Sequence, residues 1–314
     1  MSDNNQSQPA RRGRLIGIDA LRGVAALMVV VYHAIGKQPT NTASFWATLD
    51  AAVRYPLTFG YSGVYLFFVI SGFCIHLQWA KRRAAGEDYH IDFWAFWRRR
   101  LGRLYPPYLI AMAAYLSLEL WRGNLHWNGR WAWDIGLHVA MLHNLTRETC
   151  YSINGAFWTL AIEEQLYLSY FLLLFLRVRW GWQVVLPLCL VARVGWYLLF
   201  SRLRQQWGWQ VPIGESAAAH WFTWSLGAMA VEHYLGLIKL PRFTAWPALA
   251  AIFLLAAIGL TVTLPQLHTA WIHDAGWLAL DPLWGLGFFM LLCSCVTAED
   301  RWQANVPTIV AHLA

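Results

Sequence analysis

The sequence predicts an all-α, polytopic integral membrane helical bundle, and three observations carry that prediction. Hydrophobic residues make up 58% of the 314 and charged residues only 13%, against about half and about a quarter in a soluble domain. Mean hydropathy is +0.38, and apolar runs near the roughly 20 residues that cross a hydrocarbon core recur along the chain. Basic residues collect between those runs. The combination excludes disordered, fibrous, disulfide-stapled and ordinary cytosolic classes, and a single integrated bundle is expected.

In chain order, residues 1–14 are polar and basic and read as a cytoplasmic tail. The apolar run that follows carries Asp19, Arg22 and His33, charges that a cleaved signal peptide would rarely keep, so it reads as a retained first span. Runs at about 16 to 35, 61 to 80, 101 to 121, 157 to 176, 181 to 200, 218 to 238, 245 to 264 and 276 to 297 predict about eight crossings. Orientation follows from positive charge. Arg11, Arg12 and Arg14 precede the first span, and Lys81, Arg82, Arg83, Arg98, Arg99 and Arg100 crowd the second connection, which places both in the cytoplasm. Arg177, Arg179, Lys239, Arg242 and Arg301 then fall inside as well, while Arg202 and Arg204 are exceptions. The apolar segment Asp134 to Leu145 is too short to cross and reads as re-entrant or interfacial. Trp121 to Trp133 and Trp207 to Trp209 suit headgroup depth, where an indole has one wet edge and one apolar face.

The 24 basic and 17 acidic residues give a net charge of +7, and 21 of the basic residues are Arg. Arg suits phosphate forks, although positive cytoplasmic loops alone account for a basic balance. Nucleic acid is not implied. The five cysteines are odd in number, sit mostly in apolar runs and show no paired zinc spacing. His76, His138, His143, His268 and His273 form no metal motif either, so no metal is predicted.

A charge at mid-bilayer costs at least about 2.5 kcal/mol, so intramembrane ionisable residues are functional candidates. In the first span Arg22 and His33 are eleven residues apart, which leaves them about 20° apart around a helix and roughly 16 Å apart along it. Asp19 shares that face. An imidazole takes a hydroxyl proton near neutral pH, while a guanidinium holds phosphate; the same stripe would equally serve a proton or ion path. In FWTLAIEEQLYLSY, Thr159, Glu163, Tyr167 and Tyr170 recur at helical spacing on one face, with Glu164 pointing elsewhere. Glu163 either orients His33, polarises an acceptor hydroxyl, or is a buried carboxylate paired with an Arg. Arg100 and Arg103 in RRRLGRLYPPY lie one turn apart, a phosphate clamp or a positive-inside anchor. Pro106 and Pro107 free backbone groups at the same mouth. In YSGVYLFFVISGF, Gly60, Gly63 and Gly72 allow close helix approach. Ser71 there reads as a nucleophile or as a small packing residue, with no base at an informative spacing. Arg193, Glu232 and Asp281 pair with partners or line a cavity.

In this order, IDALRGVAALMVVVYH, GVYLFFVISGF, RRRLGRLYPPY and FWTLAIEEQLY resemble the membrane acyltransferase 3 family, whose members O-acylate bacterial glycans and related acceptors. The likeness covers roughly residues 15 to 170. It maps the family's Arg and His onto Arg22 and His33, its Arg pair onto Arg100 and Arg103, and its tryptophan-to-glutamate motif onto Trp158, Leu160 and Glu163. Thr159 stands where Ser is usual and keeps the hydroxyl.

The resemblance implies one membrane-embedded acyltransferase domain over residues 15–314, with about ten spans in the intact protein and a closing segment beyond the helix that Val306 to Leu313 begins. It implies an acyl-CoA donor, acetyl-CoA by family expectation, entering from the cytoplasm of a bacterial inner membrane. The acceptor is a glycan, a lipid-linked sugar or another hydroxyl compound, and membrane lipid is a further partner. Arg22, Arg100, Arg103 and Asp19 then belong to the donor site, and His33 acts as base, or becomes acylated itself, with support from Glu163. Trp158, Thr159, Tyr167 and Ser71 are further candidates. The competing class is a transporter or flippase using the same intramembrane Arg, His and Glu.

Overall fold

The computed structural model describes residues 15–35, 45–123, 129–208, 210–241 and 246–305. The basic tail, Trp209, Arg242, part of the Trp121 to Trp133 stretch and the Val306 to Leu313 segment lie outside the described residues. Among the described residues the protein is all-helical, with no strand.

Helices occupy all eight predicted runs. Helix α1 spans Ile16–Ala34, and α2 (Phe45–Leu57) leads through a 3-10 turn into α3 (Gly63–Ala84). Then come α4 (Phe93–Trp121), the short α5 (Gly129–Val139) and α6 (Arg147–Cys150), α7 (Trp158–Trp180), α8 (Trp182–Trp207), α9 (Ala217–Tyr234), α10 (Trp246–Thr263) and α11 (Ala270–Asn305). Among the described residues six helical segments are long and apolar enough to cross a membrane. The two predicted spans outside that set, α4 and α9, are more polar for different reasons. α4 carries the arginine cluster, and α9 is shielded by protein, every residue from Ala219 to Glu232 being buried.

Two boundaries differ from the sequence expectation. α4 begins at Phe93 because the Asp92 carboxylate caps it, accepting from the Ala95 amide. The arginines therefore sit inside the helix, and Pro106 and Pro107 fall in its interior, where the Gly102 and Arg103 carbonyls lose their usual helical donors. α2 was not expected, since its Asp50 and Arg54 lower its hydropathy; one turn apart, they pair at 2.7 Å. Asp134 to Leu145 forms no crossing: α5 ends at Val139 and a 3-10 turn follows. Gly181, at φ +80°, makes the sharp break between α7 and α8 that a residue with a Cβ adopts poorly.

α9 is the axis of the bundle, packed on α3, α8, α11 and α7. The α3–α9 crossing is close enough that a Cβ on Gly72 would overlap the Trp224 carbonyl oxygen, and one on Gly227 the Val69 carbonyl oxygen. Gly60 and Gly63 meet the backbone of α1 in the same way, at Met28 and Ala25. Helices α1, α8 and α10 lie at the outside and expose Leu27, Val30, Val191, Leu198, Ile252 and Leu255, as faces turned toward lipid do.

The buried charges of the later helices are paired. Arg193, 2% exposed, donates to Asp281 Oδ2 at 2.6 Å and to the carbonyls of Ala219, Trp277 and Leu278. Glu232 is held by Arg177, by Trp182 Nε1 at 2.9 Å and by His76 Nε2 at 2.9 Å, and the other His76 nitrogen meets the Tyr170 hydroxyl at 3.1 Å. Arg177, half-buried, is thus a partner of α9 as well as a member of a basic connection.

Overpacking a tight contact costs about 1–3 kcal/mol, and here the obstacle is backbone. Gly227→Ala is expected to lower the thermal midpoint of the detergent-solubilised protein by several degrees. Gly195→Ala, where a Cβ meets nothing within 4 Å, leaves it unchanged; equal midpoints for the two variants contradict the close crossing.

Candidate active site

α1, α3, α4 and α7 surround a cavity of about 800 Å³, closed by residues of the 151–157 and 214–215 connections and by Trp277, Leu280 and Asp281 of α11. Its lining includes nine of the ten residues that the resemblance assigns to the donor site or to the chemistry, or that stand as further candidates: Arg22, His33, Ser71, Arg100, Arg103, Trp158, Thr159, Glu163 and Tyr167. The tenth, Asp19, stands behind Arg22 and accepts from it at 3.4 Å. Glu164 is buried and does not line the cavity, and Tyr170 points to His76.

One part of the cavity is cationic. Arg22 reaches the Cys74 sulfur at 2.9 Å, and Arg22, Arg100 and Arg103 all lie within electrostatic reach of that sulfur. The Arg100 guanidinium lies over the Phe96 and Tyr167 rings, 5.5 and 5.7 Å from their centroids, and its buried Nε has no hydrogen-bond partner among the described residues. Three guanidiniums from two helices share a partly water-excluded space, an arrangement with the chemistry to hold a polyanion.

His33 and Glu163 occupy this cavity with different partners. His33 Nδ1–H donates to the Val29 carbonyl at 2.8 Å, one helical turn back. A carbonyl only accepts, so the proton sits on Nδ1 and the Nε2 lone pair is the basic one. Glu163 Oε1 accepts from Ser71 Oγ at 2.9 Å and from the Tyr167 hydroxyl. The hydrogen bonds of His33 and Glu163 thus go to different partners, one on its own helix and the other on α3 and α7.

Much of the rest of the lining is aromatic. Tyr61, Tyr65 and Trp277, not singled out in the sequence, line it together with Trp158, and Tyr65 donates to Asp281 Oδ1 at 2.6 Å, next to the Arg193 pair. His220 packs among the rings of Phe68, Tyr65 and Trp158 at 4.7, 5.6 and 6.3 Å. Asp281 carried a signal, an acidic residue inside a span, but the rings are indistinguishable from ordinary core residues until α3, α7, α9 and α11 are brought together.

The connections that close the cavity have their own buried polar groups. His138 and His143 stack at 4.0 Å, with His138 Nδ1 donating to Asp134 and Asp134 accepting from Ser152 at 2.9 Å. Burial, and then neighbouring His138, push His143 down to about 4 from its ordinary 6.5. Burial pushes the Cys150 thiol up to about 12, which makes it unreactive. Among the described residues no group of three or more His, Cys, Asp or Glu is placed to hold a metal ion.

Fold and site together define a multi-pass membrane protein whose helical bundle holds a largely apolar cavity that Arg22, Arg100 and Arg103 also line. The chain belongs to the acyltransferase 3 family: the family's acyltransferase domain matches residues 15–314. It is 29% identical over 169 residues to the O-acetyltransferase OatA of Staphylococcus aureus, covering 50% of this chain and 24% of that protein. It is 30% identical over 203 residues to the putative peptidoglycan O-acetyltransferase YrhL of Bacillus subtilis, covering 59% of this chain and 25% of that protein. The chain thus spans about a quarter of the length of these relatives. No solved structure matches it.

The folded state holds His143 neutral below the pH at which the unfolded chain protonates it, so the unfolded state binds more protons between pH 6.5 and about 4. The stabilisation is complete above 6.5 and is lost as pH falls through that window. Amide-exchange protection of residues 143–157 is expected to drop across the same interval, and His143→Gln should flatten the profile. A wild-type profile flat down to pH 4 contradicts the assignment.

Proposed function

We propose that the protein is an integral membrane O-acyltransferase, most simply an O-acetyltransferase, that moves an acyl group from acyl-CoA to a hydroxyl of a glycan or related cell-envelope acceptor. The observation that carries this reading is the convergence of Arg22, Arg100, Arg103 and His33 on one cavity in a chain of this family. Acyl-CoA is a substrate with several phosphates and a thioester. The guanidiniums suit the phosphates, and Asp19 holds Arg22 in place. The names of the two relatives support acetyl as the acyl group and a glycan as the acceptor.

His33 Nε2 takes the proton of the acceptor hydroxyl as the oxygen attacks the acyl carbon, while the Nδ1–H bond to Val29 keeps the ring in the tautomer this requires. The rings of Trp158, Tyr61, Tyr65 and Trp277 offer apolar faces to a sugar, with Asp281 as a nearby hydrogen-bond acceptor. The basic connection between α3 and α4 supports a cytoplasmic donor entrance in a bacterial inner membrane, with the N-terminus on the same side. His33, at the far end of α1, then lies toward the opposite face, so transfer delivers the acyl group across the membrane.

The test is acyl transfer from labelled acetyl-CoA to a glycan-lipid extract in oriented liposomes. His33→Ala is expected to lower transfer at least about 100-fold. Arg100→Ala is expected to raise the KM for acetyl-CoA about tenfold or more, the loss of one charged hydrogen bond worth about 1.5–3 kcal/mol. Movement of a solute without thioester consumption would favour a transporter instead.

A further inference from the structure

On the basis of the transferase reading above, we propose that His220 is a positioning residue for the acceptor: its ring hydrogen-bonds a sugar hydroxyl other than the one being acylated, and so selects the acceptor by its hydroxyl pattern.

His220 lines the cavity and is 2% exposed, yet neither of its ring nitrogens has a hydrogen-bond partner among the described residues. The Gly214 carbonyl comes near the ring without completing a hydrogen bond. His76, as deeply buried on α3, differs: both of its nitrogens are bonded, to Tyr170 and to Glu232. Buried polar groups are paired as a rule, and a polar group left open on a cavity wall is placed to pair with what the cavity holds. In its neutral form an imidazole offers one N–H donor and one lone pair, the complement of a hydroxyl, which both donates and accepts. The ring is carried on a fixed turn of helix. Ser216 caps α9 by accepting from the Ala219 amide at 3.2 Å, and Arg193 donates to the Ala219 carbonyl at 2.9 Å.

The place of His220 in the cavity is that of the acceptor and not of the donor's phosphates. Its ring packs against Phe68, Tyr65 and Trp158. From Tyr65 the ring contacts continue to Tyr61 at 6.4 Å, to Tyr32 at 6.0 Å and to His33 at 5.1 Å, so His220 belongs with the base. Arg22 meets α3 further along, at Cys74. α9 runs parallel to α3, since Tyr65 meets His220, Gly72 meets Trp224 and His76 meets Glu232. The connection that carries Gly214 and Glu215 into the cavity wall, just before α9, therefore lies at the Tyr61 end, away from the basic α3–α4 connection. A sugar entering there meets the faces of Tyr61, Tyr65 and Trp158 with His220 among them. Aromatic faces hold the apolar face of a sugar and distinguish hydroxyl patterns poorly. A buried hydrogen-bonding group distinguishes them well, because an acceptor without the matching hydroxyl leaves that group unpaired.

The experiment measures acetyl transfer by the full chain in oriented liposomes, varying acetyl-CoA and a glycan-lipid extract in turn. His220→Phe keeps a ring against Phe68 and Trp158 and removes both nitrogens. It is expected to raise the apparent KM for the extract about tenfold and to leave the KM for acetyl-CoA within about twofold of wild type. His220→Gln, which retains a donor and an acceptor, should recover most of the loss. An unchanged KM for the extract in a folded His220→Phe variant, or a rise confined to acetyl-CoA, overturns the role of His220 and leaves the transferase reading standing. A second measurement needs no variant: diethyl pyrocarbonate acylates neutral imidazole nitrogens, and the extract is expected to slow its reaction at His220 several-fold in wild-type protein, read by peptide mass spectrometry. Equal modification with and without the extract, or none in either case, overturns the role as well. Wild-type protein that consumes no thioester with the extract present overturns both readings.

Discussion

The close crossing of α3 and α9 is the constraint on which the rest depends. Gly72 and Gly227 remove the side chains that would hold the two backbones apart. In a bilayer the apolar surroundings drive helix association weakly, so contact quality and interhelical hydrogen bonds decide it. This one contact sets two polar junctions along α3. Trp224 comes within hydrogen-bond distance of Ser71, and Glu232 meets His76. The first borders the cavity, and the second locks the far ends of α7 and α8 to the core through Arg177 and Trp182.

Charge in a low-dielectric interior is tolerated only with partners, and that rule separates structural from chemical groups here. Arg193 with Asp281, and Arg177 with Glu232, are closed assemblies saturated by side chains and carbonyls. Arg22, Arg100 and Arg103 face a shared cavity, and Arg22 spends one of its donors on a sulfur, a weak acceptor. Such groups hold unused hydrogen-bonding capacity that an anionic ligand can satisfy. Asp281 belongs to both sets, since one oxygen closes the Arg193 pair while the other takes Tyr65 beside the cavity.

The legibility of the site followed distance along the chain. Arg22 and His33 lie on one helix, so the helical repeat alone placed them on a common face, and α1 presents both to the cavity. Thr159, Glu163 and Tyr167 were legible for the same reason. The Ser71–Glu163 bond was not, because no periodicity relates α3 to α7. His220 and Trp277 were hidden as well: in an apolar run, a ring that lines a cavity has the same spacing as a ring that fills the core. The sequence left the role of Glu163 open among three alternatives, and it could not rank the partners the fold supplies, namely the Val29 carbonyl for His33 and Ser71 with Tyr167 for Glu163.

By itself the sequence determined what local physics controls: the helical class, from hydropathy; the eight runs, from their length; and the polar stripes of α1, α4 and α7, from the 3.6-residue repeat. It also placed the small residues that make close crossings possible. Only the tertiary structure decided which helix is central, which charges close on one another and which stay open to a ligand. α9 shows why. Its Trp, His, Thr and Ser residues make it a poor candidate for lipid contact, and it is stable in the interior because protein covers every side of it. That environment is a property of the assembled bundle, since it exists only once α3, α8 and α11 are in place.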